Sequence, residues 1–268
     1  MVQRLEMAKS AFRSFAGLAF LASLLTGTAD AAELKVLCSG AMRAVLQELA
    51  PAFEKSSGNK LVIEYATAGK VEEKVMAGDE LDVVILTKPR VDKLVGTAKL
   101  VGGTTAALAS VPIGLAVKKG APKPDIGSVD AFKKALLAAK SVAYVDPATG
   151  ATSGIHMARV LEKLGIANEL KPKLKLVTPP PGQQSPRVGE VIARGEVEIG
   201  MQPISELKEV DGIDVVGPLP AELQSPDLVF LAASPFDSQQ PLQAKAMIDF
   251  LASQSAKAVY KAKGMEPG

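Results

Sequence analysis

The sequence predicts an α/β protein. Three observations carry this. Short apolar strands alternate with amphipathic helices from residue 34 to the C-terminus, those strands lack polar–apolar alternation, and neither a linker-like segment nor an internal repeat interrupts them. Strands apolar on both sides fit sheets covered on both faces, so largely parallel sheets are expected.

In chain order, Leu34-Lys35-Val36-Leu37-Cys38 reads as the first strand. A helix follows over 41–55, striped by Ala41, Val45, Leu49 and Phe53 and stopped by Gly58-Asn59. Residues 61–65 form a strand and 70–76 a short helix ended by Gly78. The segment 82–86 is a strand apolar after Asp82, and 89–94 a helical turn. Next come a strand over 111–118 with Pro112 near its start, a helix over 129–139, a strand over 142–145 and a helix over 154–164. Strands at 174–177 and 197–201 flank a helix at 187–194, and a strand at 213–216 precedes the turn-rich stretch 217–226. A last strand over 228–233 leads into helices over 241–251 and 256–263. The stretches 110–113 and 223–228 are the candidate crossings between two lobes.

The first thirty-odd residues read as a secretory leader. Arg4, Lys9 and Arg13 give a positive start, an apolar run spans 15–25, and Ala29-Asp30-Ala31 is an A-x-A cleavage site. The run is about a dozen residues, short of the roughly 18–20 a bilayer span needs. Cys38 lies too far past the cut to carry a lipid. The expected signal peptide is therefore 1–31, and the expected location of the folded protein lies outside the cytoplasm. About 237 residues remain, enough for one large domain or two modest lobes.

Composition excludes several function classes. The chain has 31 Lys and Arg against 29 Asp and Glu, spread evenly, so no basic field exists for nucleic acid. Cys38 is the only cysteine and His156 the only histidine, which precludes an intramolecular disulfide and a His/Cys zinc cluster. Neither Gly-rich nucleotide motif occurs. No metal or cofactor is expected.

What remains is the composition of the loops after the strands, where open α/β sheets bind ligands. They read Ser39-Gly40-Ala41-Met42-Arg43, Ala66-Thr67-Ala68-Gly69-Lys70, Asp146 through Gly154 with Thr152 and Ser153, Thr178 through Pro186 with Ser185 and then Arg187, and Gln202-Pro203. Each is small, hydroxylated or rich in free backbone N–H groups, and each opens a helix. Singly, such residues are ordinary N-caps. Several helix starts converging on one cleft would hold an anion.

With these stretches in view, the mature chain resembles periplasmic solute-binding proteins of the molybdate-binding type, within the type 2 periplasmic binding fold. The resemblance rests on residues 36–46, on Leu81-Asp82-Val83-Val84-Ile85 after Met76-Ala77-Gly78, on Asp146-Pro147 followed by 151–154, on Gly195-Glu196-Val197-Glu198-Ile199-Gly200, and on 250–265. It implies a two-lobed fold with the ligand between lobes: 33–112 plus 228–268 as lobe one, 113–227 as lobe two. It also implies a small anionic ligand, a membrane permease of the ABC type as partner, and a monomer. Against the family pattern, Ala41 stands where a ligand-binding Ser is usual, Thr67-Ala68-Gly69 replaces a Ser-rich loop, and Pro203 falls near a usual Tyr. Arg43, Lys70 and Arg187 lie near the same loops. Because Arg pairs with carboxylates through a two-pronged fork, an organic di- or tricarboxylate is expected over molybdate.

One enzymatic alternative stays open: a cofactor-free isomerase of an unsaturated tricarboxylic acid such as aconitate, which needs anion clamps and one base. Lys70, His156 and Asp146 are the candidate bases, and the sequence selects none of them.

Overall fold

The computed structural model describes residues 32–268, and the expected leader lies outside them. In chain order the strands and helices are β1 Glu33–Ser39, α1 Arg43–Ser57, β2 Lys60–Ala66, α2 Ala68–Ala77, β3 Val83–Thr87, α3 Lys88–Gly96 and β4 Ala106–Ser110. Then come β5 Ile113–Lys118, α4 Val129–Ala138, β6 Val142–Val145, α5 Thr152–Lys163, α6 Ala167–Leu170, β7 Leu174–Val177, α7 Val188–Ala193, β8 Ile199–Pro203, α8 Ile204–Leu207 and β9 Ile213–Pro218. The chain closes with β10 Val229–Ala233, α9 Pro241–Leu251, α10 Gln254–Ala262 and β11 Glu266–Pro267.

These strands build two sheets, one per lobe. The first has the order β11-β4-β10-β3-β1-β2 and the second β7-β6-β8-β5-β9. The central strands β3, β6 and β8 are buried at every position, as strands covered on both faces are. The expectation of largely parallel sheets needs correction. β1 pairs in parallel with β2 and β3, and β6 with β7 and β8, but β10 runs antiparallel to β3 and β4, and β5 to β8 and β9. Apart from the two-residue β11, which pairs antiparallel with β4, the reversed strands are the first one after each crossing. A chain that enters a sheet from the neighbouring lobe arrives at the end where the other strands finish.

The crossings are anchored by buried apolar side chains and cross-braced. Val111 N–H donates to Leu228 O (2.9 Å) and Leu219 N–H to Ile113 O (3.0 Å). The Gln224 amide accepts from Ile113 N–H at 2.9 Å and donates to Ile113 O and Leu219 O. Val111, Ile113, Leu219, Leu223, Leu228 and Phe230 join one apolar core with residues of both sheets. The strand expected to begin at 111 thus begins at Ile113, because Val111-Pro112 is the crossing itself. β4 has no counterpart among the expected elements: its Ala-Ala-Leu-Ala-Ser sequence has little β propensity and is held by its neighbours. The four-residue helices α6 and α8 are too short to show a period.

Candidate functional site

Strand ends of both lobes meet at one small cavity of about 30 Å³, room for about two waters. The first lobe brings Ser39, Gly40 and Ala41 from the end of β1, Ala66 from the end of β2, Thr67 and Ala68 from the start of α2, and Thr87 from the end of β3. The second brings Val145 from the end of β6, Ala151, Thr152 and Ser153 at the start of α5, and Ser185 and Pro186 ahead of α7. Gln202 and Pro203 from β8 and Glu206 from α8 complete that side, with Leu228 and Phe230 of the return crossing as floor.

Local chemistry fixes each contributor. Thr67 caps α2, its Oγ1 accepting from Lys70 N–H at 3.3 Å while donating across the cleft to Thr149 O at 2.8 Å. Asp146 Oδ1 accepts from Ala148 N–H (2.9 Å), setting the turn that delivers Thr152 and Ser153 to the start of α5. Of the first N–H groups of α2, those of Gly69 and Lys70 are taken by Gly150 O and Thr67 Oγ1, which leaves Ala68 N–H, with the first N–H groups of α5, for a ligand. Across the cleft Thr67 N–H donates to Gln184 O, Gly69 N–H to Gly150 O (both 3.0 Å), and Ser205 Oγ to Ala41 O (2.7 Å). The lobes are closed on one another.

Three polar groups at this cavity stand out. Thr152 Oγ1 and Ser185 Oγ are buried with no hydrogen-bond partner in the protein, a state costing about 1–3 kcal/mol per group. The third is Glu206, partly buried, whose Oε2 accepts from Gln202 Nε2 at 2.6 Å. Burial, and then the like charge of Glu209, push its carboxyl up to about 8, against the pull of Arg187, Arg43 and the Gln202 amide. Gln202 is itself held, accepting from Val188 N–H (2.9 Å) and donating to Pro186 O (3.1 Å).

Of the expected ligand residues, Ser39, Gly40, Ala41, Thr67 and Ala68 line the cavity on one side, and Thr152, Ser153, Ser185, Gln202 and Pro203 on the other. Five are placed elsewhere. Met42 is fully buried in the core beneath the β1 loop. Gly69 packs back-to-back against Gly150. Lys70 extends to solvent and pairs with Glu73 (2.8 Å). Arg43 lays its guanidinium 4.2 Å over the Tyr65 ring, and Arg187 pairs with Glu190 (3.1 Å) and Glu209 (3.3 Å). Both arginines line a separate open groove of about 530 Å³ with Lys208 and Lys263. Long cationic chains at helix starts reach for aromatic faces, carboxylates and water, so nearness in sequence did not bring these charges into the cavity.

The three candidate bases are also outside it. Lys70 is paired as above, Asp146 caps its turn, and His156 Nε2 binds Leu223 O at 2.8 Å. Asp82 braces β1 and the loop before α9, accepting from Lys35 N–H (2.9 Å) and Ser238 Oγ (2.8 Å). The one carboxyl in the cavity, Glu206, was missed because α8 has four residues. The available signal was an acidic residue in the first turn after a strand-end Gln-Pro. Among the described residues no group of three or more His, Cys, Asp or Glu side chains is placed to hold a metal, and no helix is long and apolar enough to cross a membrane.

Two lobes of mixed α/β sheet, joined by two crossings and closed over a cavity of strand-end hydroxyls and helix starts, define the type 2 periplasmic binding fold. The chain belongs to the family of bacterial extracellular solute-binding proteins, whose pattern matches residues 34–266. Among characterised proteins it is 36% identical over 240 residues to an aconitate isomerase from Pseudomonas sp, covering 87% of each chain. It is 28% identical to the molybdate-binding protein ModA of Azotobacter vinelandii, covering 91% of this chain and 93% of that one. The solved periplasmic molybdate-binding protein of A. vinelandii superposes with a TM-score of 0.70 at 20% identity, over 87% of this chain and 98% of the other.

Proposed function

We propose that this protein captures a small organic acid carrying two or three carboxylates in the periplasm, after export and cleavage near Ala31, and presents it as a monomer to an ABC-type permease. The lobes divide at 33–112 with 228–268 and at 113–227, and they part and reclose around the ligand over a wider cavity than the about 30 Å³ seen here. The observation that carries the reading is the pair of unpartnered hydroxyls, Thr152 Oγ1 and Ser185 Oγ, facing one cavity beside two helix starts. Such groups suit carboxylate oxygens. Glu206, held neutral below about pH 8, can donate to a ligand carboxylate, and a relative 36% identical over 87% of each chain is an aconitate isomerase.

Thermal unfolding with tricarboxylates and with molybdate tests this. Ligand at a hundredfold excess over Kd adds about 2.7 kcal/mol, a rise of roughly 5–10 °C for a domain of this size. A rise with a tricarboxylate and little with molybdate is expected; a rise with molybdate alone refutes the ligand class.

A second reading has its own support. The cavity holds a titratable carboxyl shielded from bulk water, and a relative 36% identical is an aconitate isomerase. An isomerase of an unsaturated tricarboxylic acid would use that shielding to move a proton. Interconversion of cis- and trans-aconitate, followed by proton NMR with the purified protein, decides between capture and turnover.

A further inference from the structure

The position of Glu206 is unusual for a site that collects anions. Its carboxyl lines the cavity rather than the outer groove, and an anionic ligand must come close to it. Its Oε2 and the unpartnered Ser185 Oγ converge on Gly40: a β-carbon built there would lie 3.6 Å from the first and 2.9 Å from the second. Only glycine leaves that space for a ligand oxygen to lie between them. Gln202 Nε2 donates to the same Oε2, which leaves the proton of the neutral acid to the other oxygen, Oε1.

We infer that Glu206 is the proton-exchanging contact of the cleft: it meets the ligand as the neutral acid and donates its Oε1 proton as a hydrogen bond to a ligand carboxylate, so that capture is linked to proton uptake. This rests on the carboxylate reading of the cavity. The charged groups facing Glu206 are Glu209 beyond the end of its own helix, Arg187 at the start of α7 and Arg43 at the start of α1. Glu209 keeps the proton on Glu206, while the two arginines oppose it without entering the cavity. A bound carboxylate adds negative charge on the same side as Glu209, and tightens the hold on that proton.

The isomerase reading needs no second base but asks the other protonation state of the same residue. The ionised form, the minor one below about pH 8, takes a proton from the CH₂ beside a carboxylate. The C–H electron pair becomes the new C=C as the old one shifts, and the far carbon takes the same proton back from Glu206. Nothing is oxidised or reduced, and no co-reactant is needed.

The test uses the mature protein and tricarballylate, a saturated tricarboxylate that cannot isomerise and is fully ionised above neutral pH. Binding is measured by calorimetry from pH 7 to pH 9 in buffers of different ionisation enthalpy. With the Glu206 carboxyl near 8, affinity should fall about tenfold between those limits, with up to one proton taken up per ligand at the alkaline end. Glu206→Gln, which keeps a permanent donor, should still bind, with affinity flat across the range and no proton uptake. Tight binding by both proteins with the same pH dependence overturns the inference and leaves the carboxylate reading standing. Absence of binding to either at any pH overturns both. Should the wild-type protein interconvert aconitates, Glu206→Gln should slow turnover at least 100-fold while retaining tricarballylate affinity at pH 7. Turnover undiminished in that variant excludes Glu206 as the base.

Discussion

Replacing Gly69 by Ala sets two effects of opposite sign against each other. Gly69 is the second residue of α2, where Ala is the better helix former by up to about 1 kcal/mol. On α2 alone the change stabilises. Across the cleft it does the reverse. A β-carbon at 69 would stand 2.8 Å from Gly150 Cα and 3.2 Å from Gly150 O, both backbone atoms with no flexible end to yield. Ordinary contact needs roughly 0.5–1 Å more. That separation also weakens Gly69 N–H to Gly150 O (3.0 Å) and the neighbouring Thr67 Oγ1 to Thr149 O (2.8 Å). Overpacking of this kind costs about 1–3 kcal/mol, borne only when the lobes are together. The ligand-free protein escapes by opening; the ligand-bound one does not. Affinity should fall roughly 5- to 150-fold, with urea unfolding of the ligand-free protein unchanged or slightly more favourable to the fold. Calorimetry with the cognate acid, beside the urea curve, reads both quantities. Unchanged affinity in a folded variant would show that the bound state does not bring Gly69 against Gly150, and the closure argument would fall.

Thr152→Val and Ser185→Ala each remove a buried hydroxyl that has no partner in the protein. Each should leave the ligand-free stability unchanged or about 1 kcal/mol higher and weaken ligand binding about 5- to 30-fold, read by thermal melts with and without ligand; equal affinity in both variants would remove these hydroxyls from the site. The Cys38 thiol is fully buried and burial pushes its ionisation up. A thiol reagent should therefore label it only as the protein unfolds, and rapid labelling under native conditions would contradict its place in the β1 core. Glu206 makes stability depend on pH. Its folded carboxyl sits near 8 against an ordinary 4.5, so the folded state holds the extra proton between those values. Stability is then greatest below the ordinary value and declines as pH rises towards 8, by up to roughly 5 kcal/mol. Comparing urea midpoints at pH 5 and pH 8.5 should give a smaller decline for Glu206→Gln than for the wild-type protein, and identical declines would refute the assignment.

The sequence made the α/β class readable because its central strands are apolar on both faces and its longer helices carry stripes. It did not make strand direction readable. The reversal of β5 and β10 follows from where the chain enters each sheet, which no residue in those strands encodes. β4 was illegible for another reason: alanine is indifferent to the pleat, and β10 and β11 decide the matter from either side.

At the cavity the division runs along the same line. The rule that ligands meet strand ends locates loops, because a loop's place is fixed by topology. It therefore brought out Ser39, Thr67, Thr152, Ser185 and Gln202, which the fold sets around one cavity. It says nothing of where a long side chain at the loop's edge will point. Arg43 and Glu206 both belong to helices that follow a strand-end turn. Arg43 has four carbons of reach and an aromatic face within it, and it leaves the cavity for the Tyr65 ring. Glu206 is shorter, is tethered by Gln202, and has the cavity beside it. Basic residues near anion loops invite the inference of a cationic clamp. Here the charges stand outside as a field on Glu206, and the group at the ligand is an acid. A cleft arranged this way gains affinity from the proton held on Glu206, which is why the pH dependence of binding, more than its strength, tests whether an acid rather than a cationic clamp meets the ligand.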